Sequence, residues 1–371
     1  MNYKIVISIC LLSLFMFIFP ITEYVFIYDS NVGNQDFIIF IFSQLISIVF
    51  AVYVSFKINA LNIVHNYSLE SIQKGSFILG VMFFIIFFMF VLKNVSSIDG
   101  LLFFSEGYRN GVYRGSGLYT AGIVQLLPLI ISLMLVKEKS LSKYFYLSLF
   151  LVFAASFILG IRVFLFIIFF FMVIRLFTSN GNVLKSIIVM LLFGAFMFSF
   201  KYFLNENVKN LSFLDSILHI TSRTGYRNIV YDSNFSLIYD FFKGLPVVKY
   251  FYSCDTECIK FEYVRQLPDI DKKMPYIGNY SGVALPVTVI IYNMFGFFGF
   301  IITAALIIVF FILLNITYSS KKQLHSICAL VGTYYIYAML CEDVNYIFKL
   351  GDAILLVTLV IFFQFFVKRF V

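Results

Sequence analysis

The residues of this chain best suited to chemistry are arginines. Arg109, Arg114, Arg162, Arg223, Arg227 and Arg265, six of the eight in the sequence, fall in segments read below as lying on the outer face of a membrane. A guanidinium keeps its proton and offers a planar fork of donors matched to phosphate oxygens. Such groups gathered at a membrane surface suit an anionic ligand of the lipid pyrophosphate kind. The plainer reading is salt bridging with the acidic residues that share those segments.

Arg162 is the sharpest case. It is the lone charge between Lys143 and Arg175, and Gly160-Ile161-Arg162 interrupts an otherwise apolar run. Charge at such depth is expensive and marks a functional site by default, with snorkelling to the headgroups as the alternative. Arg109 and Arg114 sit in Tyr108-Arg109-Asn110-Gly111-Val112-Tyr113-Arg114-Gly115. Glycines there allow close backbone approach to a ligand, and the tyrosines offer stacking surface for sugar rings. Arg223 and Arg227 are four apart, on one face if helical. They precede Phe235, Leu237, Ile238, Phe241 and Phe242, spaced like a helix lying on a membrane. Asp232 and Asp240 are their nearest carboxylates. A general base for a hydroxyl could be one of these, or Asp269, Asp271, Glu342 or Asp343.

Other chemistries lack their residues. There is no phosphate-binding Gly-rich loop ending in Lys-Ser/Thr and no serine-nucleophile elbow. His65, His219 and His325 are scattered, and no His/Cys/carboxylate set has zinc spacing, so neither metal nor cofactor is expected. Cys254 and Cys258 could pair on an oxidising face.

The elements that must position these residues are membrane helices. Hydrophobic residues make up 61% of the 371 and charged ones 12%, with fifty Phe and a mean hydropathy of +0.96. That leaves too little polar surface for a water-soluble globule, where about a quarter of residues are charged. The net charge of +8 reads as basic residues retained on the cytoplasmic side rather than as nucleic-acid binding. Continuous apolar runs favour helices over a barrel.

About ten spans result, in an all-α polytopic fold forming a single membrane domain over 1–371. The spans are Lys4–Ile21, Phe37–Phe56, Phe77–Leu92, Leu118–Val136, two within Tyr144–Phe177, Leu184–Phe200, Phe297–Asn315, Leu324–Leu340 and Ala353–Val367. Tyr144–Phe177 as one helix would be about 51 Å long, so it must turn as a hairpin at Gly160–Arg162. Residues 201–280 are too polar to cross and form one large outer loop between spans seven and eight. After it, Val283–Met294 reads as a short tilted or re-entrant piece.

Charge supports this layout. Started from the inside, it puts Lys4, Lys57, Lys74, Lys137, Lys139, Lys143, Arg175, Lys185, Lys321, Lys322, Lys368 and Arg369 on the cytoplasmic side. Only Glu70 and Glu138 join them as acids. Both termini are then cytoplasmic. The Lys there suits general attraction to anionic headgroups.

With these parts in place the chain resembles a Wzy-type O-antigen or capsule repeat-unit polymerase. Three segments carry the resemblance: Gly160-Ile161-Arg162-Val163 before an apolar helix, Arg223 or Arg227 followed by Ser236–Pro246, and Asn279-Tyr280-Ser281-Gly282 running on to Gly296-Phe297-Phe298-Gly299. Many relatives carry a His near the last segment, where this chain has Asn279, Tyr280 and Ser281. The resemblance implies a metal-independent glycosyltransferase on the outer face of a bacterial inner membrane, joining undecaprenyl-pyrophosphate-linked oligosaccharides. Arg162, Arg223 and Arg227 would be catalytic. Arg109, Arg114, Tyr280 and Asp232 would bind substrate. A chain-length regulator is a further candidate partner. The rival reading is a flippase that moves the lipid-linked unit without chemistry; such proteins usually have more spans and lack a loop of this size. A membrane acyltransferase would need a catalytic His in the membrane, a role His219 fills poorly.

Overall fold

The computed structural model describes residues 3–13, 16–17, 21, 34–62, 77–78, 80–82, 84–85, 118–159, 163–179, 188, 286–341, 357–358 and 361–362. Among them every regular element is helical. In chain order these are α1 (Tyr3–Ser13), α2 (Asn34–Lys57), α3 (Leu118–Lys137), α4 (Lys143–Leu159), α5 (Val163–Ser179), α6 (Val287–Phe295), a 3-10 turn (Gly296–Gly299), α7 (Phe300–Ser319) and α8 (Gln323–Cys341). Among the described residues three stretches are long and apolar enough to cross a membrane: Gln35–Lys57, Val287–Ser319 and Leu324–Cys341. The expected spans Phe77–Leu92, Leu184–Phe200 and Ala353–Val367 lie mostly or wholly outside the described residues. The 201–280 loop and Cys254/Cys258 lie wholly outside them.

The long apolar run after Lys143 divides as its length demands. α4 ends at Leu159 and α5 begins at Val163. Arg175 near the end of α5 donates to the Lys139 carbonyl, four residues before α4 begins, at 3.0 Å. The end of one helix therefore lies beside the start of the other, which is a hairpin.

Direction along the bundle follows from similar contacts. Ser43 Oγ donates to the Phe297 carbonyl at 3.4 Å, Ser47 Oγ to the Phe300 carbonyl at 3.2 Å, and Asn315 Nδ2 to the Asn59 carbonyl at 3.4 Å. Partner numbers rise together, so α2 and α7 run parallel. Lys137, the last residue of α3, reaches the Tyr318 carbonyl at the end of α7. The C-terminal ends of α2, α3, α5 and α7 and the starts of α4 and α8 thus share one end of the bundle. Lys57, Lys137, Lys139, Lys143, Arg175, Lys321 and Lys322, assigned to one membrane face by the order of the spans, are gathered there.

The core lies between α3, α5, α7 and α8. Phe170, Phe310 and Tyr337 form a three-ring contact with centroids 5.2 to 6.4 Å apart, each pair adding about 0.5–1.5 kcal/mol beyond its burial. α7 buries Thr303, Ala304, Ile307, Phe310, Phe311, Leu314 and Tyr318. Its other face leaves Ile301, Ile302, Val309 and Ile316 open, and α2 exposes Phe42, Val49 and Phe56. Large apolar side chains bared along helices of this length are what a lipid solvent accepts and water does not.

Candidate functional site

Every residue expected to act on substrate lies outside the described residues: Arg109, Arg114, Arg162, Arg223, Arg227, Asp232 and Tyr280. The structure describes what adjoins them. Leu118, Leu159 and Val163, the helix ends nearest in sequence to Arg114 and Arg162, are at the end of the bundle away from the clustered cations.

The segment that follows the large polar stretch is described from Pro286, and it is broken. Proline at the entrance presets φ for a first turn and lacks only a donor that a helix start leaves unused. The nine residues of α6 span about 14 Å, half a bilayer, and Val287 to Met294 are all buried. Gly296 then takes φ 56°, ψ −140°, a conformation that a Cβ would disfavour. The break doubles the chain back. A Cβ placed on Gly299 would stand 2.9 Å from Ile291 Cγ2 and 3.0 Å from the Ile291 carbonyl oxygen, whereas in one straight helix these residues would be about 12 Å apart along the axis. Val287–Ser319 is therefore a half-helix, a tight turn and the 20-residue α7. That geometry agrees with a short piece preceding a full span.

A polar seam on α2 supports the break. Phe40, Ser43, Gln44 and Ser47 share its buried face by their three- and four-residue spacing. Phe40 meets Tyr292 of α6 edge to face at 5.4 Å, and the two serines donate to carbonyls in and just after the turn. Irregular backbone at membrane depth is tolerated when neighbouring hydroxyls satisfy it in this way. Gln44 lies between these contacts along the same face. It is buried, and its Oε1 has no hydrogen-bond partner among the described residues. Thr303 Oγ1 on α7 is also buried without one. An apolar interior leaves such acceptors ready for a donor. The seam was missed in the sequence, although Ser43-Gln44-x-x-Ser47 inside an apolar run was there to be read.

The opposite end holds two cation locks, one buried and one half-buried. Lys137 is fully buried, and its Nζ donates to the Tyr318 and Ser320 carbonyls at 3.0 and 2.9 Å. Arg175 Nη1 donates to the Leu135 and Glu138 carbonyls at 2.8 and 2.7 Å, while Nη2 reaches Lys139. Helices end with carbonyls that lack intrahelical partners and with a partial negative charge. Each cation answers both needs for a helix other than its own, so these contacts tie α3 to α7 and α5 to α3. Among the described residues no group of three or more His, Cys, Asp or Glu could hold a metal ion. No family model, curated protein or solved structure matches this chain.

Proposed function

We propose that the chain is a membrane glycosyltransferase that polymerises undecaprenyl-pyrophosphate-linked oligosaccharide repeat units on the outer face of a bacterial inner membrane. The observation that carries this reading is the partition of basic residues in the sequence. Arginine is concentrated in the segments assigned outside and lysine in those assigned inside. The positive-inside rule makes the cation-rich end of the bundle the candidate cytoplasmic end, which supports an outer position for the Gly160–Arg162 junction.

The reaction moves a growing glycan from its pyrophosphate carrier to a hydroxyl of the incoming lipid-linked unit. The attacking oxygen forms the new glycosidic bond as the anomeric carbon–phosphate oxygen bond breaks, and the hydroxyl proton passes to a carboxylate, for which Asp232 is one candidate. Negative charge grows on the departing pyrophosphate. Arg162, Arg223 and Arg227 stabilise it with fixed donors, without a metal. Arg109, Arg114 and Tyr280 hold the second carrier or its sugar. α6 fits the role of the buried support on which the chain re-enters the membrane after the outer loop.

The decisive experiment is Arg162→Ala in a strain lacking the chromosomal copy. Surface glycan of single-unit length with no polymer is expected. Long chains at wild-type protein level remove the assignment. A strain lacking the protein altogether should also keep one unit; complete loss of the repeat unit would indicate a flippase instead.

A further inference from the structure

The same bundle end carries cations that the internal locks do not use. Lys139, Lys143, Lys321 and Lys322 are exposed, and they belong to two turns that Lys137 brings together by reaching from α3 to the Ser320 carbonyl. Of the acids whose positions are described, Asp36 is at the other end of α2, and Glu138 is buried rather than at the surface. The helix starts make the imbalance worse. α4 begins at Lys143 and α8 directly after Lys322, and neither has an acid in its first turn. Lysine there faces the positive end of the helix dipole, where a negative group is favoured. An anion from outside the chain relieves both effects.

The surroundings identify the anion's carrier. Tyr146, Leu147 and Phe150 are exposed on α4 within two turns of Lys143, and Leu324 is exposed two residues after Lys322. Positive charge at a turn and bare apolar surface on the adjoining helix match an amphiphile, with phosphate at one and acyl chain along the other. A free phosphate would use only the first. We infer that the α3–α4 and α7–α8 turns form a docking surface for an anionic phospholipid of the bilayer, its headgroup among Lys139, Lys143, Lys321 and Lys322. This is independent of the polymerase reading and needs only that the helices cross a membrane.

The test uses the full chain purified in non-ionic detergent. Its unfolding midpoint, followed by helical circular dichroism, is titrated with phosphatidylglycerol, phosphatidylcholine or inorganic phosphate. Phosphatidylglycerol should raise the midpoint saturably and the other two should not. Each of Lys139→Gln, Lys321→Gln and Lys322→Gln should weaken the apparent phosphatidylglycerol affinity by about fivefold, given roughly 1 kcal/mol per lysine near an anionic surface. A variant with Lys139, Lys321 and Lys322 all changed to Arg should bind as the wild type does, which separates loss of charge from any loss of fold in the Gln variants. Equal response to phosphatidylcholine, unchanged affinity in the single Gln variants, or an equal effect of inorganic phosphate would overturn the proposal.

Discussion

Lys137 poses a physical question about a single side chain. Burying an ammonium is expensive, and the attraction it finds must offset that loss of hydration. Here it meets two carbonyls at the negative end of α7. Lys137→Met keeps the apolar stem but removes both bonds, leaving the Ser320 carbonyl with the Ser326 hydroxyl at 3.4 Å, and hydrogen bonds to charged groups contribute about 1.5–3 kcal/mol. Unfolding in micelles should show a loss of that size; a more stable variant would mean that desolvation outweighs the bonds. Arg175 depends on shape as much as on charge, since one planar group serves three carbonyls. Arg175→Lys should therefore recover less than half of the stability lost in Arg175→Ala, because an ammonium on a flexible stem lacks that fork.

Glycine differs in meaning from element to element. At Gly299, at the end of the 3-10 turn, an added Cβ meets the Ile291 backbone oxygen, which cannot rotate away. Gly299→Ala should destabilise the fold by about 1–3 kcal/mol. Ile291→Ala in the same chain should return only part of this, since it removes Cγ2 and leaves the carbonyl. Gly332 in α8 differs. Its added Cβ would meet the tip of Leu313 at 2.9 Å, and a side-chain tip can turn. Gly332→Ala should be neutral or stabilising by up to about 1 kcal/mol, the gain from replacing Gly inside a helix. Gly296→Ala, at φ 56°, should lose about 1–3 kcal/mol to backbone strain. Thermal midpoints of the three variants, measured side by side, would rank these effects.

At the scale of the whole molecule, topology is the property to test. In a cysteine-free background, Cys introduced at Ser140 and at Lys321 should react with an impermeant thiol reagent only after the inner face is opened. Cys at Arg162 and Arg223 should react in intact cells; the reverse pattern would end the polymerase reading. Much of the helical plan was legible in the sequence. Continuous apolar runs cannot be anything but helices in lipid, and α2, α3 and α8 fall within a few residues of their expected limits. The hairpin followed from length, because Tyr144–Phe177 exceeds the membrane. The grouping of cations followed from the cost of carrying charge across a bilayer. The site was less legible. The arginines suit an anionic ligand by type, but type does not place them near one another. Hydropathy could not say which face of α7 packs inward either, since Phe310 and Phe311 are buried while Ile301 and Val309, equally apolar, are bare. In lipid both faces are acceptable, so the choice rests on neighbouring helices. For the described residues the sequence by itself therefore determined that they are helical, where those helices run and which of their charges share a side, because those depend on local transfer from water to hydrocarbon. Only the tertiary structure decided that α2 and α7 run parallel, that Ser43 and Ser47 meet carbonyls in and just after the Gly296–Gly299 turn, and that Lys137 closes the end of a helix far along the chain. These are matters of close packing and of carbonyls seeking donors, and the partners in such contacts lie far apart in sequence.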